Sequence, residues 1–247
     1  MLERLRHAGL IWPTALGVAG LAVLIGLGTW QLQRKQWKDA LIAKIAARVT
    51  AEPMPLAQAR QIWSGGGDIE YLHVVARGRF HHDKERYLYA PAKSGLGWHV
   101  YTPLQIAPSR IVWVNRGFVP DAKKAPQSRS AAQSAGEVEV RGLARAPAHK
   151  GLFTPENDVA HNLWYWPDSA AMTASAFAGG AIEATPFIID ADAEPQPPGG
   201  LPQGGVTRLD LPNSHLHYAL TWYGLALTLI GVYGAFAASR LRPPGSP

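Results

Sequence analysis

The chain has 247 residues, of which 47% are hydrophobic and only 17% are charged, and it contains no cysteine. Soluble domains carry roughly 25% charged residues, so the composition points to a membrane protein. Without cysteine the chain cannot form a disulfide, a thiolate nucleophile, an iron–sulfur cluster or a covalent c-type haem. The chain has a net charge of +6, but it contains neither an arginine-rich run nor an aromatic–basic motif. Basic residues that flank membrane segments explain this charge better than nucleic-acid binding does.

The first apolar segment, residues 10–30, is predicted to cross a membrane. It has no ionisable side chain, and as a helix it is about 31 Å long, close to the thickness of a hydrocarbon core. Trp12 and Trp30 lie at its ends, where aromatic side chains favour the membrane interface. A cleaved signal peptide is the alternative. The length of the segment and the absence of a small-residue cleavage motif favour an uncleaved anchor.

The second apolar segment, residues 218–238, is also free of charge and rich in aromatic residues at both ends. It is predicted to be a second transmembrane helix. Gly224, Thr228, Gly231 and Ala235 form one small-residue face along it. This face could pack closely against another helix, or it could reflect the glycine content normal to membrane helices.

Two spans place both chain ends on one side of a membrane. We therefore expect tails at residues 1–9 and 239–247 and a domain at residues 31–217 on the opposite side. Basic residues lie on both sides of the first span, in the tails and just after residue 31. Charge alone leaves the orientation open.

Residues 32–49 are predicted to continue the first helix beyond the membrane. Trp37, Leu41, Ile45 and Val49 recur every fourth residue and form one apolar stripe. The other face is rich in Arg and Lys, which suits a position near lipid headgroups.

The domain is predicted to be β-rich. Short runs rich in Val, Ile, Tyr and Trp are separated by Gly or Pro at residues 71–80, 86–91, 98–105, 111–117, 137–144, 186–190 and 206–211. Their spacing favours an antiparallel sheet closed into a small barrel or a sandwich. One helix is predicted at residues 169–177 with Asp168 as its N-cap. Long loops are expected at residues 121–135 and 191–205. The fold class is thus an α+β membrane protein, with two transmembrane helices flanking this domain.

The sequence carries none of the common catalytic motifs, such as G-x-S-x-G, H-E-x-x-H or a Walker loop. We therefore expect no enzyme. His81, His82 and Asp83 lie in a row, but adjacent side chains of a strand point to opposite faces. A solvated turn is expected there rather than a metal site.

His215 and His217 precede the second span, where an imidazole meets the membrane interface. If the helix begins after Pro212 and is capped by Asn213, His215 and Trp222 share one face. A neutral imidazole there could ligate haem iron. The alternative is an interfacial histidine that hydrogen-bonds backbone or lipid, and the residues alone favour it.

Three sequence blocks lie at the end of the first span, in mid-chain and at the start of the second span. They read G-T-W-Q at residues 28–31 with Arg34, Trp37 and Lys38, then V-N-R-G-F-V-P at 114–120, then N-S-H-L-H-Y-A-L-T-W at 213–222. The chain resembles in these blocks the surfeit locus protein one family of cytochrome c oxidase assembly factors. Phe118 stands where that family usually has Trp. Weaker similarity covers residues 97–104 and 162–168.

The resemblance implies a two-span protein whose domain lies outside the cytoplasm. Because no mitochondrial targeting segment precedes the first span, a bacterial inner membrane with a periplasmic domain is expected. Family members help to build the haem a–copper centre of oxidase subunit I. The implied partners are therefore subunit I, other assembly factors and membrane lipid, and the implied cofactor is haem a.

The resemblance also implies roles for single residues. His215 becomes the candidate ligand of the haem iron, and His217 is a weaker candidate. Trp30 or Trp222 could stack on the ring, and Arg34 could pair with a propionate. A cofactor-free scaffold that steadies an oxidase intermediate remains the alternative function.

Asn115, Arg116 and Gly117 form the core of the middle block and are predicted to be structural. We expect a turn at a strand end, in which Gly117 adopts a positive φ and Arg116 pairs with an acidic loop.

Overall fold

The computed structural model describes residues 9–91 and 95–241. Contacts divide the chain into two units: the terminal segments Met1–Lys44 and Asp210–Pro247, and the domain Ile45–Leu209. The predicted tails fall outside the described residues, except for residue 9 at one end and residues 239–241 at the other.

The helices, numbered along the chain, are α1 (Ile11–Val49), α2 (Leu56–Ser64), α3 (Ser169–Ala176) and α4 (His215–Leu241). The strands are β1 (Met54–Pro55), β2 (His73–Phe80), β3 (Arg86–Tyr89), β4 (Gly97–Ala107), β5 (Arg110–Pro120), β6 (Glu137–Arg145), β7 (Leu163–Trp164), β8 (Glu183–Ala184) and β9 (Ile188–Ala191).

In the first unit, α1 and α4 pack against each other in antiparallel orientation. The least exposed positions of α1 follow the alternating three- and four-residue spacing of a coiled coil: 14, 17, 21, 24, 28, 31, 35 and 38. Glycine residues of α1 receive large side chains of α4. A Cβ added to Gly28 would lie 2.7 Å from the Tyr223 ring, and one added to Gly20 would lie 3.4 Å from Leu229. Small residues thus bring the two helices close together.

Two hydroxyl pairs join the helices at different levels. Thr14 bonds Tyr233 through their side-chain oxygens, and Thr29 Oγ1 lies 3.1 Å from Tyr223 Oη. The face of Gly224, Thr228, Gly231 and Ala235 is exposed. It therefore takes no part in this packing.

Both terminal helices are long and apolar enough to cross a membrane. Only 6% of the most apolar window of α1 and 11% of that of α4 is buried. Core helices of soluble proteins are mostly buried, so these surfaces differ from a protein interior. The prediction of two terminal apolar helices is confirmed.

The domain contains a small closed barrel, as predicted, but its sheet is mixed rather than antiparallel. The strands β2, β6, β9, β5 and β4 pair in that order, and β4 pairs back with the end of β2 through Arg79 with Gln105 and Phe80 with Leu104. The β9–β5 pairing is parallel and the other four are antiparallel. Closure removes the free edges that an open sheet would expose.

Apolar side chains fill the barrel and cover one outer face. Inward-facing residues of four barrel strands include Val74, Leu104, Val112, Val114 and Ile189. Alternate residues of the same strands point outward, where Tyr101, Trp113 and Ile188 pack against Met172 of α3 and Trp164. The period-2 alternation of strands produces these two layers. Asp168 caps α3 by accepting a hydrogen bond from the Ala171 backbone N–H at 3.0 Å, as predicted.

Several sequence predictions need correction. Residues 206–211 form no strand, because both edges of β9 are already paired with β5 and β6 and the Thr207 side chain instead bonds Asp190. The loop predicted at 121–135 contains two short 3₁₀ segments. Helix α2 was not predicted from the sequence.

The apolar stripe predicted beyond the first span is also only partly correct. Ile45 is buried, but Trp37 is 52% exposed. The inward positions of α1 follow a 3.5-residue period, and a strict four-residue repeat drifts off that face.

Candidate functional site

His215 is the first residue of α4, and its side chain contacts α1. Its Nδ1 lies 2.7 Å from Oε1 of Gln31. An amide oxygen only accepts hydrogen bonds, so Nδ1 carries the proton and donates it to Gln31. The sequence alone favoured a hydrogen bond from His215 to backbone or lipid. The structure shows a hydrogen bond to a side chain instead.

The bond to Gln31 determines which ring nitrogen of His215 carries the proton when the ring is neutral. In the neutral ring with a proton on Nδ1, Nε2 keeps its lone pair. Metal-binding histidines are usually held in this way, with the second ring nitrogen donating to a protein acceptor. His215 is half-buried. Its Nε2 lone pair would therefore be free to bind a metal such as haem iron.

The segment before α4 runs back along α1. Lys38 donates from Nζ to the carbonyl oxygen of Pro212, and Asn213 Nδ2 donates to Asp39 Oδ1 at 2.7 Å. Asn213 was predicted to cap α4, but its side chain is committed to Asp39. Its buried Oδ1 has no hydrogen-bond partner among the residues that the structure describes.

The other predicted site residues occupy different surfaces. Trp222 is half-buried and lies two helical turns beyond His215 on the same face. His217 is exposed, two residues from His215 and therefore on another face. Trp30 is 53% exposed. The Arg34 guanidinium carbon lies 3.9 Å from the centroid of the Trp37 ring, a cation–π contact.

The structure thus brings together only part of the predicted set. Within residues 9–91 and 95–241, no hydrogen bond or ring contact links His215 to Trp30, Trp222 or Arg34. The partner it does have, Gln31, was missed. Gln31 stands in the G-T-W-Q block, and its position in the coiled-coil spacing of α1 was the available signal.

A second group of buried polar residues surrounds the middle block. Arg116 donates to the carbonyl oxygen of Ala132 at 2.7 Å and lies 3.5 Å from Oε1 of Glu85. Arg129 donates to Oε2 of Glu85 at 2.8 Å, and Tyr87 donates to the same oxygen at 3.0 Å. Glu85 is 3% exposed. The prediction that Arg116 pairs with an acidic loop is confirmed.

Glu85 stays ionised because its partners outweigh its burial. Burial would raise the pKa of its carboxyl, but His82 and the Arg129 and Arg116 guanidinium groups lower it below the ordinary 4.5. Burial also lowers the pKa of Arg116, to about 10. Both groups are therefore charged at neutral pH, as buried ion pairs require.

The histidine run beside Glu85 forms a turn but is not solvated. A 3₁₀ turn covers His82–Lys84. His81 bonds Gln105 and packs edge-on against Phe177, and both imidazoles are half-buried. Within the described residues, no group of three potential metal ligands is found.

Asn115 and Gly117 shape the strand that carries Arg116. Strand β5 continues through this block to Pro120, so the predicted turn at a strand end is wrong. Gly117 has φ +115°, as predicted. The Asn115 side chain accepts from the Gly117 backbone N–H at 3.1 Å and donates to Asp190 at 2.9 Å. These hydrogen bonds make the block part of the barrel structure.

Comparison with known proteins matches the chain to one family over most of its length. A model of the SURF1 family matches residues 18–227. The chain is 40% identical over 221 residues to Surfeit locus protein 1 of Mus musculus, covering 83% of this chain and 69% of that protein. It is 39% identical over 219 residues to Surfeit locus protein 1 of Homo sapiens, with 81% and 69% covered. It is 38% identical over 237 residues to a SURF1-like protein of Monosiga brevicollis, with 91% and 86% covered.

Proposed function

The chain belongs to the SURF1 family, and on that premise we propose that it is a membrane-anchored assembly factor for haem–copper cytochrome c oxidase. It holds haem a at the outer membrane interface and helps to insert it into oxidase subunit I. The observation that carries this proposal is the His215–Gln31 bond of 2.7 Å, which leaves the second imidazole nitrogen available for a metal.

We place both helices in a bacterial inner membrane with the barrel domain in the periplasm. Their length, apolar composition and exposed surfaces support insertion. Gln31 and His215 then lie at one interface, because the uncharged part of each helix begins or ends next to them.

Haem a would supply an iron that accepts a nitrogen ligand. In this proposal His215 provides that nitrogen through Nε2, while Gln31 holds the ring orientation. Trp222 lies on the same helix face and offers an aromatic surface, and the exposed Trp30 ring offers a second. Arg34 uses the face of its guanidinium on Trp37, so its N–H edge remains available to a propionate. His217 is the weaker second candidate ligand.

No catalytic step is assigned to the chain. Its proposed role is to bind haem a, to orient it and to release it. Its partners in this role are subunit I, other oxidase assembly factors and the surrounding lipid.

A cofactor-free scaffold is the second candidate function. The observation that favours it is that His215 already has a protein partner in Gln31. In that case His215 and Gln31 would serve only to join the two helices.

Oxidase assembly in a strain that lacks this chain separates the two functions. Complementation with wild type should restore the haem a content of subunit I. A His215→Ala chain that is present at wild-type level should restore much less if it handles haem. Full restoration by His215→Ala would favour the scaffold.

A further inference from the structure

A cavity of about 300 Å³ lies on the outer face of the barrel. Its floor is formed by β4, β5 and β9, and its walls by the end of β6, Pro167 and residues 206–208. Ile188, Val206 and Pro167 give it apolar surface. Concave sites with apolar walls and a few converging polar groups are typical of small-molecule binding.

Tyr101 places an unpaired hydroxyl at this cavity. The residue is 4% exposed, and its ring packs among Trp113 and Ile188. Burial raises the pKa of the hydroxyl, as does the nearby Asp190 carboxylate, while Arg145 lowers it. Tyr101 and both of those residues line the cavity. Across the described parts of the chain, the hydroxyl makes no hydrogen bond to another protein group, and its oxygen is not among the fully enclosed unpaired atoms. It is therefore accessible to a ligand.

His99 is the second polar group without a partner. Its ring packs edge-on to Phe118 at 6.5 Å and lines the same cavity. Burial lowers the pKa of the imidazole, and Asp190 offsets this only in part. The neutral ring has one donor and one acceptor nitrogen. Neither bonds another residue of the described chain.

Three charged residues line the cavity: Asp190 and Arg145 are matched by protein partners, and Arg208 is exposed. Asp190 accepts from Asn115 at 2.9 Å, from Arg145 at 2.8 Å and from Thr207 at 2.8 Å. Arg145 also donates to Glu70 at 2.8 Å. Apart from the exposed Arg208, the lining groups without a partner among the described residues are therefore the two uncharged groups of Tyr101 and His99, each of which can donate and accept.

We propose that this cavity binds a small uncharged molecule with an apolar body and one group that both donates and accepts hydrogen bonds, such as a carboxamide or a hydroxyl. Tyr101 and His99 bond that group, and the apolar walls hold the body. Because the Asp190 carboxylate lies near both Tyr101 and His99, an anionic group bonded to these two residues is disfavoured. This site is independent of His215 and belongs to the barrel domain alone.

Benzamide is a suitable probe, because it joins a carboxamide to a ring that the cavity can accommodate. Binding to the full chain in detergent is followed by saturation-transfer NMR and titration calorimetry. We expect saturable binding at one site and at least tenfold weaker binding of benzoate, which carries a charge in place of the amide.

Single variants locate the binding. Tyr101→Phe removes only the hydroxyl and should raise the Kd of benzamide about three- to tenfold, and His99→Phe should do the same. Tyr165→Phe is the matched control, because this tyrosine is half-buried and does not line the cavity. Its Kd should not change. The proposal is overturned if benzamide shows no saturable binding to wild type, or if the three variants bind it equally well.

Discussion

Gly117 holds the backbone of β5 at φ +115°, where an L side chain is strained. A Cβ at this position would also overlap the carbonyl oxygen of Gln203. This oxygen accepts the Phe118 backbone N–H at 2.9 Å, and the Gln203 N–H bonds back to Phe118. Gly117 therefore allows the segment after β9 to lie directly against β5.

Gly117→Ala should lower the free energy of unfolding of the domain by about 2–4 kcal/mol, from backbone strain and overlap together. Thermal unfolding followed by near-ultraviolet circular dichroism measures the change. Gly136→Ala is the control, since an added Cβ there meets open space. Equal melting temperatures for the two variants would contradict the role given to Gly117.

Glu85 balances two buried guanidinium groups. Glu85→Gln keeps the shape but leaves Arg116 and Arg129 without a counter-charge. Breaking a buried pair in this way costs about 3–5 kcal/mol. Glu137→Gln is the matched control, because Glu137 is exposed and surface charges contribute little.

The contribution of Glu85 should also depend on pH. Its pKa in the folded state lies below the ordinary 4.5, so the folded chain binds its proton less tightly than the unfolded chain. The stabilisation is therefore complete above pH 4.5 and is lost as the pH falls through the lower, folded-state pKa. The difference in stability between wild type and Glu85→Gln should shrink over that acid range. A difference that stays constant would show that Glu85 does not titrate as described.

At the level of elements, the contact between α1 and α4 depends on glycine. A Cβ on Gly28 would lie 2.7 Å from a ring carbon of Tyr223, so Gly28→Ala must displace either the Tyr223 ring or the helix that carries it. Because the chain has no cysteine, Gly20→Cys and Leu229→Cys create one defined pair for oxidative cross-linking.

Gly28→Ala should reduce cross-linking of this pair several-fold. Gly26→Ala should leave it unchanged, since nothing lies near an added Cβ at Gly26. Unchanged cross-linking in both variants would mean that the helix contact tolerates the extra methyl group. In that case close packing at Gly28 would not be required.

The long elements could be predicted from the sequence, and the short ones could not. The apolar runs and the alternating strands β2, β4, β5 and β6 carry strong local patterns. The two-residue strands β1, β7 and β8 are set by their partners. Residues 206–211 have strand-like composition, but composition does not reveal that β9 already has a neighbour on each edge.

The candidate site, too, could be predicted only in part from the sequence. His215 could be identified from its block and its place at the end of an apolar segment. Its partner Gln31 was marked only by its place in the coiled-coil spacing of α1, because 184 residues separate it from His215 and only the antiparallel packing of α1 and α4 brings the two together. Glu85 was likewise hidden, since its partners Arg116 and Arg129 come from distant segments.

For the whole molecule, the proposed orientation places both chain ends in the cytoplasm and the barrel in the periplasm. A single Gly136→Cys should react with a membrane-impermeant maleimide in intact spheroplasts. A single Ser239→Cys should react only after lysis, because it lies beyond the second apolar segment. The reverse pattern would contradict the orientation.

The optical spectrum of the full chain, purified in detergent from cells that make haem a, decides whether His215 is a haem ligand. We predict a stoichiometric haem a band in wild type and in His217→Ala, and loss of that band in His215→Ala. Gln31→Leu should weaken haem retention, because the ring loses the acceptor that fixes its tautomer. A colourless wild-type protein, or a band that survives in His215→Ala, would contradict the assignment.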